Sequence, residues 1–358
     1  MTTARLPLVR LLFAAVLANG AVASTAAPAT KLLTPPSCAA VSRATCNVAR
    51  ELGRGINLGN MLEAPQEGDW CLRVDPEYIR ITTSVFSNVR VPVRWSNHAA
   101  PTADATLDEK FARRVDEVID ALLARNVYVV LDLHHYSQLV GAPLVREQAV
   151  DPSVLEIRLV NMWRQLAQRY RDRSPKLIFE LLNEPFGRLN AAAWNALAAR
   201  TLAAVRQTDP DRTVLIGPVD WNSPVALKDL RLPPDRHLIV SIHEYDPFEF
   251  THQGVPYLGR NLPVGTVCCN GRQKGEIVKT LDTARAWSIK TGYPLYMTEF
   301  GSHEKADLDS RVEFTRFVRD EAEKRGIPWA YWEFASNFGV WSPEAGAWIE
   351  PLRQALLD

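Results

Sequence analysis

From Arg54 to the C-terminus, short apolar runs alternate with amphipathic helical patterns, and this alternation constrains the fold more than any other feature of the chain. Eight runs have strand length and turn-bounded ends. They are Gly55–Leu58, Asn88–Val93, Tyr128–Leu133, Leu177–Leu182, Thr213–Ile216, Leu238–His243, Leu295–Glu299 and Trp329–Trp332. Helical patterns fall between and after them, at Leu107–Arg125, Asp151–Tyr170, Ala191–Gln207, Gly275–Thr291, Asp309–Arg325 and Glu344–Leu357. In the first, Phe111, Val115, Val118, Ile119 and Leu122 share a face; the second opens on Asp-Pro, a good cap and first turn. Eight β–α units over some 300 residues predict a single-domain α/β fold, a (β/α)8 TIM barrel. A doubly wound open sheet gives the same alternation. No glycine-rich phosphate loop follows the first strand, which weakens the dinucleotide-binding version of that alternative.

Composition narrows the partners. There are 41 Lys+Arg and 41 Asp+Glu, with no basic block, which argues against a nucleic-acid binder. No charge-free apolar run reaches 18 residues, which argues against a membrane span. The N-terminus reads as a secretory signal over residues 1–23: Arg5 and Arg10, an apolar stretch from Leu11 to Ala18, then Ala21-Val22-Ala23. Residues 24–36 read as a flexible lead-in and 37–358 as the barrel domain. The expected destination is extracellular or periplasmic, where disulfides are permitted. The five cysteines, Cys38, Cys46, Cys71, Cys268 and Cys269, leave at least one unpaired within a monomer and match no zinc spacing. If residues 38–51 form one helix, Cys38 and Cys46 sit about 12 Å apart along its axis, too far to bridge.

In a TIM barrel the active site lies at the C-terminal ends of the strands. Those ends carry Asn57 and Asn60; Arg90, Arg94 and Trp95; Asp132, His134 and His135; Asn183, Glu184 and Pro185. The later strands add Asp220, Trp221 and Asn222; His243 and Tyr245; Glu299; and Trp332 with Glu333. Six of the seven histidines fall on or just after a strand end. Glu184 and Glu299 each close an apolar strand, three strands apart, so they face each other across the barrel mouth. Two carboxyls flanking one bond are the machinery of glycoside hydrolysis.

These residues resemble glycoside hydrolase family 5, the cellulase family A of endo-β-1,4-glucanases. The resemblance rests on GINLGN at 55–60, VRVPVRW at 89–95, LDLHH at 131–135, LLNEP at 181–185, IHEYDP at 242–247, MTEFG at 297–301 and WAYWEF at 329–334. It implies a retaining enzyme with Glu184 as acid/base and Glu299 as nucleophile. Arg90, His134, Asn183, His243 and Tyr245 are implied in support: Arg90 holding Glu299 ionised, Asn183 contacting the sugar 2-hydroxyl, Tyr245 donating to Glu299. Trp332 is implied as a stacking platform. Asn60, Glu63, Trp70, His135 and Trp221 are further expected sugar contacts. The expected partner is a β-glucan polysaccharide, cellulose or mixed-linkage glucan, with mannan and xyloglucan as alternatives within the family. The expected protein is a monomer with no cofactor and no metal.

Two features remain open at this level. A 28-residue loop from Asp246 to Gln273 is long enough to wall the cleft, or to be a disulfide-tied flap. The ten tryptophans divide between the C-terminal side of the barrel (Trp70, Trp95, Trp221, Trp332 and Trp341) and helices (Trp163, Trp194, Trp287 and Trp348), with Trp329 at the start of the eighth strand.

Overall fold

The computed structural model describes residues 34–143 and 146–358. The expected signal segment, 1–23, lies outside the described residues. Eight parallel strands close a barrel in sequence order. They are β1 Arg54–Asn57, β2 Asn88–Val93, β3 Tyr128–Leu133, β4 Leu177–Glu180, β5 Val214–Leu215, β6 Leu238–Glu244, β7 Leu295–Phe300 and β8 Trp329–Tyr331. Pairing of Arg54 with Trp329 joins the last strand to the first. Closure excludes the open doubly wound sheet. Almost every strand residue is buried, as expected for strands covered on both faces.

The main helices are α1 Arg43–Glu51, α2 Pro76–Val85, α3 Glu109–Leu123, α4 Leu155–Tyr170, α5 Ala191–Arg206, α6 Gly271–Thr291, α7 Leu308–Lys324 and α8 Glu350–Leu357. Side-chain caps set where several begin. Asp75 accepts from the Glu77 N–H and Pro76 opens the first turn of α2. Asn270 and Gln273 form a reciprocal capping box, so α6 starts at Gly271, four residues before the apolar periodicity suggests. Between β5 and β6 there are two short elements, a four-residue helical turn at Val219–Asn222 and a 3-10 helix, Pro224–Asp229.

Two expectations fail for local reasons. Residues 38–51 are not one helix. Ser42 caps α1 by accepting from the Thr45 N–H, so the helix starts at Arg43 and Cys38 lies on the turn before it. The Cα atoms of Cys38 and Cys46 are therefore 5.6 Å apart, and a disulfide joins them. The predicted helix from Glu344 also starts late, at Glu350. A hairpin of β9 Trp341–Ser342 and β10 Ala347–Trp348 takes up the segment before it, turning at Gly346 with φ 60°. Trp348 is thus a strand residue, not a helical one.

The barrel interior is layered. Val130, Ile178, Leu215, Ile239, Tyr296 and Ala330 form an apolar layer, which Ala49 and Leu52 at the end of α1 pack against. Two residues further along their strands, the same inward face carries Asp132, Glu180 and Ser241. No described helix is long and apolar enough to cross a membrane.

Candidate active site

The acids come together. One oxygen of Glu184, one of Glu299 and a ring nitrogen of His243 lie within 4.8 Å of one another. Glu299 is on β7, with its side chain 5% exposed; Glu184 follows β4 and is 28% exposed. The less exposed acid is thus anchored in the barrel wall and the other reaches into the cleft. Glu184 has φ 48°, in the left-handed region that non-glycine residues seldom occupy and that clusters at functional sites. The chain before it is still laddered to β3, through the Asn183 N–H to the Leu133 carbonyl at 2.9 Å.

Each acid has its own partners. Arg90 donates to Glu299 Oε1 at 2.6 Å, and the Tyr245 hydroxyl donates to Oε2 at 2.8 Å. Glu184 Oε1 lies 2.9 Å from His243 Nδ1. The other His243 nitrogen, Nε2, is 3.3 Å from Asn222 Nδ2. An amide nitrogen only donates, so Nε2 accepts and Nδ1 carries the proton that reaches Glu184. Burial pushes the His243 imidazole down to about 4, which keeps it neutral near pH 7.

Burial also governs the carboxyls. It pushes Glu184 up to about 7, with Arg90 opposing and Glu180 adding to the rise. Glu299 is raised by burial too, against His243, Arg90 and the Tyr245 hydrogen bond, while the charge of Glu184 adds to the rise. Arg90 alone therefore does not hold Glu299 at the ordinary carboxylate value. Glu299 still has two strong donors on its oxygens where Glu184 has one, so Glu299 is the better placed to carry the negative charge.

The supporting residues converge as well. Arg90 Nη2 donates to Asn183 Oδ1 at 2.8 Å. His134 Nδ1 is 2.6 Å from Asp132 Oδ2, and its ring stacks on Trp332 at 5.1 Å with 4° between planes. Trp332 is half-buried, and a Cβ at Gly59 would come within 3.0 Å of it; glycine there gives the indole room. His135 meets Trp70 edge-on at 6.1 Å, and the Arg94 guanidinium lies 5.4 Å over the Trp70 ring. Asn60, in a left-handed turn with φ 63°, and Glu63 share the β1 loop. Glu63 lies in the floor of that loop, 1% exposed, accepting from the backbone N–H groups of Asn60 and Met61. Its visible task is shaping the loop. Trp221 is exposed and stacks on Phe186 at 4.8 Å. Three successive left-handed residues, Asp220, Trp221 and Asn222, turn Asn222 inward to His243.

Two of the tryptophans expected on the C-terminal side serve packing. Trp95 is fully buried against Phe111, so it is core. Trp341 stacks on Phe334 within the C-terminal hairpin. In the long loop, Cys268 and Cys269 bond to each other, so no disulfide ties the loop elsewhere, while the Cys268 N–H donates to Ser310 Oγ on α7 at 3.1 Å; Cys71 is free and exposed. Within the loop, the Gln253 side chain accepts from the Gly265 and Thr266 N–H groups. Its Tyr257 is exposed at the rim, yet near the acids. Its phenol is pushed up to about 12 by desolvation first and then by Glu184, Glu299 and Glu333.

One contributor was missed in the sequence: Glu180, fully buried beside Arg90. Asp132 and Asn222 stood among the strand-end residues without a role; Asp132 is buried on Arg90 and Asn222 orients His243. Glu180 had a signal: a lone acid in an otherwise apolar strand, on the face of Ile178.

Comparison with known proteins gives the family. The model of the cellulase family (glycosyl hydrolase family 5) matches residues 79–338. Endoglucanase H of Acetivibrio thermocellus is 34% identical over 301 residues, covering 84% of this chain and 31% of the relative. The chain spans about a third of the length of that relative and of the cellulase/esterase CelE of the same organism. A solved hyperthermophilic endo-β-1,4-glucanase in complex with substrate superposes with TM-score 0.83 and 36% identity, covering 88% of this chain and 99% of that one. Thermotoga maritima Cel5A, solved with mannotriose and with cellobiose, has TM-score 0.82 and 39% identity, covering 87% and 99%. With the family pattern matched over most of its length and a relative more than 30% identical, this chain belongs to glycosyl hydrolase family 5.

Proposed function

We propose that the protein is a secreted, retaining endo-β-1,4-glucanase acting on cellulose or mixed-linkage β-glucan. The observation that carries the mechanism is the closeness of the acids, whose nearest oxygens lie within 4.8 Å. Retaining glycosidases hold their carboxyls about 5–5.5 Å apart, and inverting ones about 6.5–9.5 Å. Glu299 attacks the anomeric carbon while Glu184 protonates the leaving oxygen. The bond to the leaving sugar breaks, and a glycosyl ester of Glu299 remains. Glu184, now a carboxylate, takes a proton from water, which attacks the ester and frees Glu299. The Nδ1–H of His243 holds one oxygen of Glu184, leaving the other for the proton in transit. Asn183 is the donor for the 2-hydroxyl, Trp332 is the sugar platform, and Trp70, His135, Trp221 and Asn60 extend the cleft. The reaction moves only protons and a glycosyl group among residues already present, so no metal is required.

A second reading, mannan, is favoured by the relative solved with both mannotriose and cellobiose. The test is reducing-sugar release from carboxymethylcellulose, barley β-glucan, lichenan and glucomannan in parallel, with the first product's anomer followed by NMR. Release from the glucans with the β-anomer first is expected. Glucomannan as the best substrate would favour mannan. The α-anomer first would overturn retention, and no release from any polymer would favour a binding-only barrel. Export is tested separately: the mature N-terminus is expected near Ala23.

A further inference from the structure

The guanidinium of Arg90 has five N–H donors, and each has its own partner. Nε donates to Glu180 Oε2 at 2.7 Å. Nη1 donates to Glu299 Oε1 at 2.6 Å and to Asn57 Oδ1 at 3.0 Å. Nη2 donates to Asn183 Oδ1 at 2.8 Å and lies 2.9 Å from Asp132 Oδ2. Two of these partners, Glu299 and Asn183, belong to the reacting machinery. Glu180 and Asp132 are sealed in the barrel beside them, with side chains 0% exposed.

We propose that Glu180 and Asp132 are positioning residues, which fix the plane of Arg90 and through it aim the nucleophile Glu299 and the sugar ligand Asn183. The assignment rests on the two-glutamate reading above. A guanidinium is a flat fork at the end of a flexible stem. Glu180 holds it at Nε, next to the stem, and Asp132 holds it at the far end. With both in place the plane can neither rock nor spin. Asp132 has a second task on the same oxygen, because it also accepts from His134 Nδ1 and so sets the ring that stacks on Trp332.

Fold stability alone is a poor reason for this arrangement. Three buried carboxyls, Asp132, Glu180 and Glu299, share one buried cation. Asp132 Oδ1 and Glu180 Oε1 have no hydrogen-bond partner. Unpaired buried carboxylate oxygens cost stability, and apolar residues of similar size often replace buried ion pairs without loss. Other ionisable groups around the cluster are His134 on the β3 side, Glu184 after β4, His243 on β6 and Tyr245 after it.

The test compares Glu180→Leu with Glu180→Gln on two aryl β-cellobiosides, one with a nitrophenol leaving group and one with phenol. Leucine fills the space but accepts nothing; glutamine still offers an oxygen to Nε. Glu180→Leu is expected to lower kcat on the order of 10²-fold, as for small misplacements of catalytic groups. KM should stay near wild type, and both leaving groups should be slowed alike. Glu180→Gln should restore most of the rate. A Glu180→Leu enzyme with wild-type kcat would overturn the proposal. So would a loss confined to the phenol substrate, which would place the damage at Glu184. If Glu180→Leu does not fold, Asp132→Ala decides: it removes the oxygen that serves both Arg90 Nη2 and His134 Nδ1 and should lower kcat at least tenfold, while Asp132→Asn, which keeps one oxygen for both donors, should restore most of the rate; wild-type kcat in Asp132→Ala would overturn the proposal. A wild-type enzyme inert on both cellobiosides would instead undercut the two-glutamate reading.

Discussion

The lower and upper halves of the barrel interior are built on the same strands and do opposite things. Below, Val130, Ile178, Ile239 and Tyr296 interlock against α1. Two residues higher on the first two of those strands stand Asp132 and Glu180, facing Arg90. The backbone is equally regular in both halves and the burial is equally complete. What differs is the cost of each layer. The lower one removes apolar surface from water, which stabilises the fold. The upper one removes charge from water, which costs free energy and is tolerated where the preorganised charge serves chemistry. The barrel thus separates holding the strands together from aiming side chains, with one alternation of the strand between the two roles.

Substitutions in the two halves should therefore fail in different ways. The largest effect is expected at the rim of the upper half. Glu299→Gln and Glu184→Gln should each lower kcat on cellulose by on the order of 10⁴-fold or more, as removal of a nucleophile or its proton partner does elsewhere. Their Tm should hold or rise, because a buried acid is removed; wild-type turnover in either would break the assignment. In the lower half, Ile239→Ala should cost about 2–5 kcal/mol in a denaturant titration. Its kcat per folded molecule should be unchanged, and a large kcat loss without destabilisation would erase the division between the layers.

The comparison also predicts a pH dependence, whose sign follows from which state holds protons more tightly. Burial raises Glu184 and Asp132 to about 7, and Glu333 and Glu244 to about 8. The folded state thus binds protons that the unfolded chain, with ordinary carboxyls, has already released. This contribution is complete below the ordinary carboxyl range and is lost as pH rises through 7 to 8. Buried histidines pushed down, His98 and His243 to about 4 and His252 to about 3, act with the opposite sign below the ordinary histidine value, so the Tm should fall from about pH 7 to pH 8.5, and Glu333→Gln should flatten that fall; a rising Tm in that window would contradict it. Activity should fall on the alkaline side near pH 7, as Glu184 loses the proton it must donate. The smallest expected effect is that of a chelator. EDTA should leave kcat unchanged, although Glu184, His243 and Glu299 converge closely enough to hold a cation. A chelator-sensitive rate would mean that the upper layer holds charge for an ion as well.

Much of the site was legible because its residues stand at strand ends. Glu184, Glu299, Arg90, His134, His243 and Tyr245 each lie within a motif that marks the top of a strand, and the barrel gathers them. The misreadings share a cause. The bond between Cys38 and Cys46 and the hairpin before α8 depend on a cap and a turn that apolar periodicity does not register. Glu180 was hidden for a related reason. Its strand is apolar on both sides of it, and only closure of the sheet brings β2 and β4 to the same guanidinium.

By itself the sequence determined the alternation of eight strands with helices, because periodicities of two and 3.6 residues leave few ways to bury every apolar face, and closure then chose the barrel over the open sheet. It also determined which acids stand at the mouth, since motif and strand end coincide there. Tertiary structure decided how those acids are held: the tautomer of His243, the saturated fork of Arg90 and the proton affinity of Glu184. These depend on distances of a few ångströms between residues far apart in the chain. Such distances exist only once the barrel has closed and excluded water from its upper half.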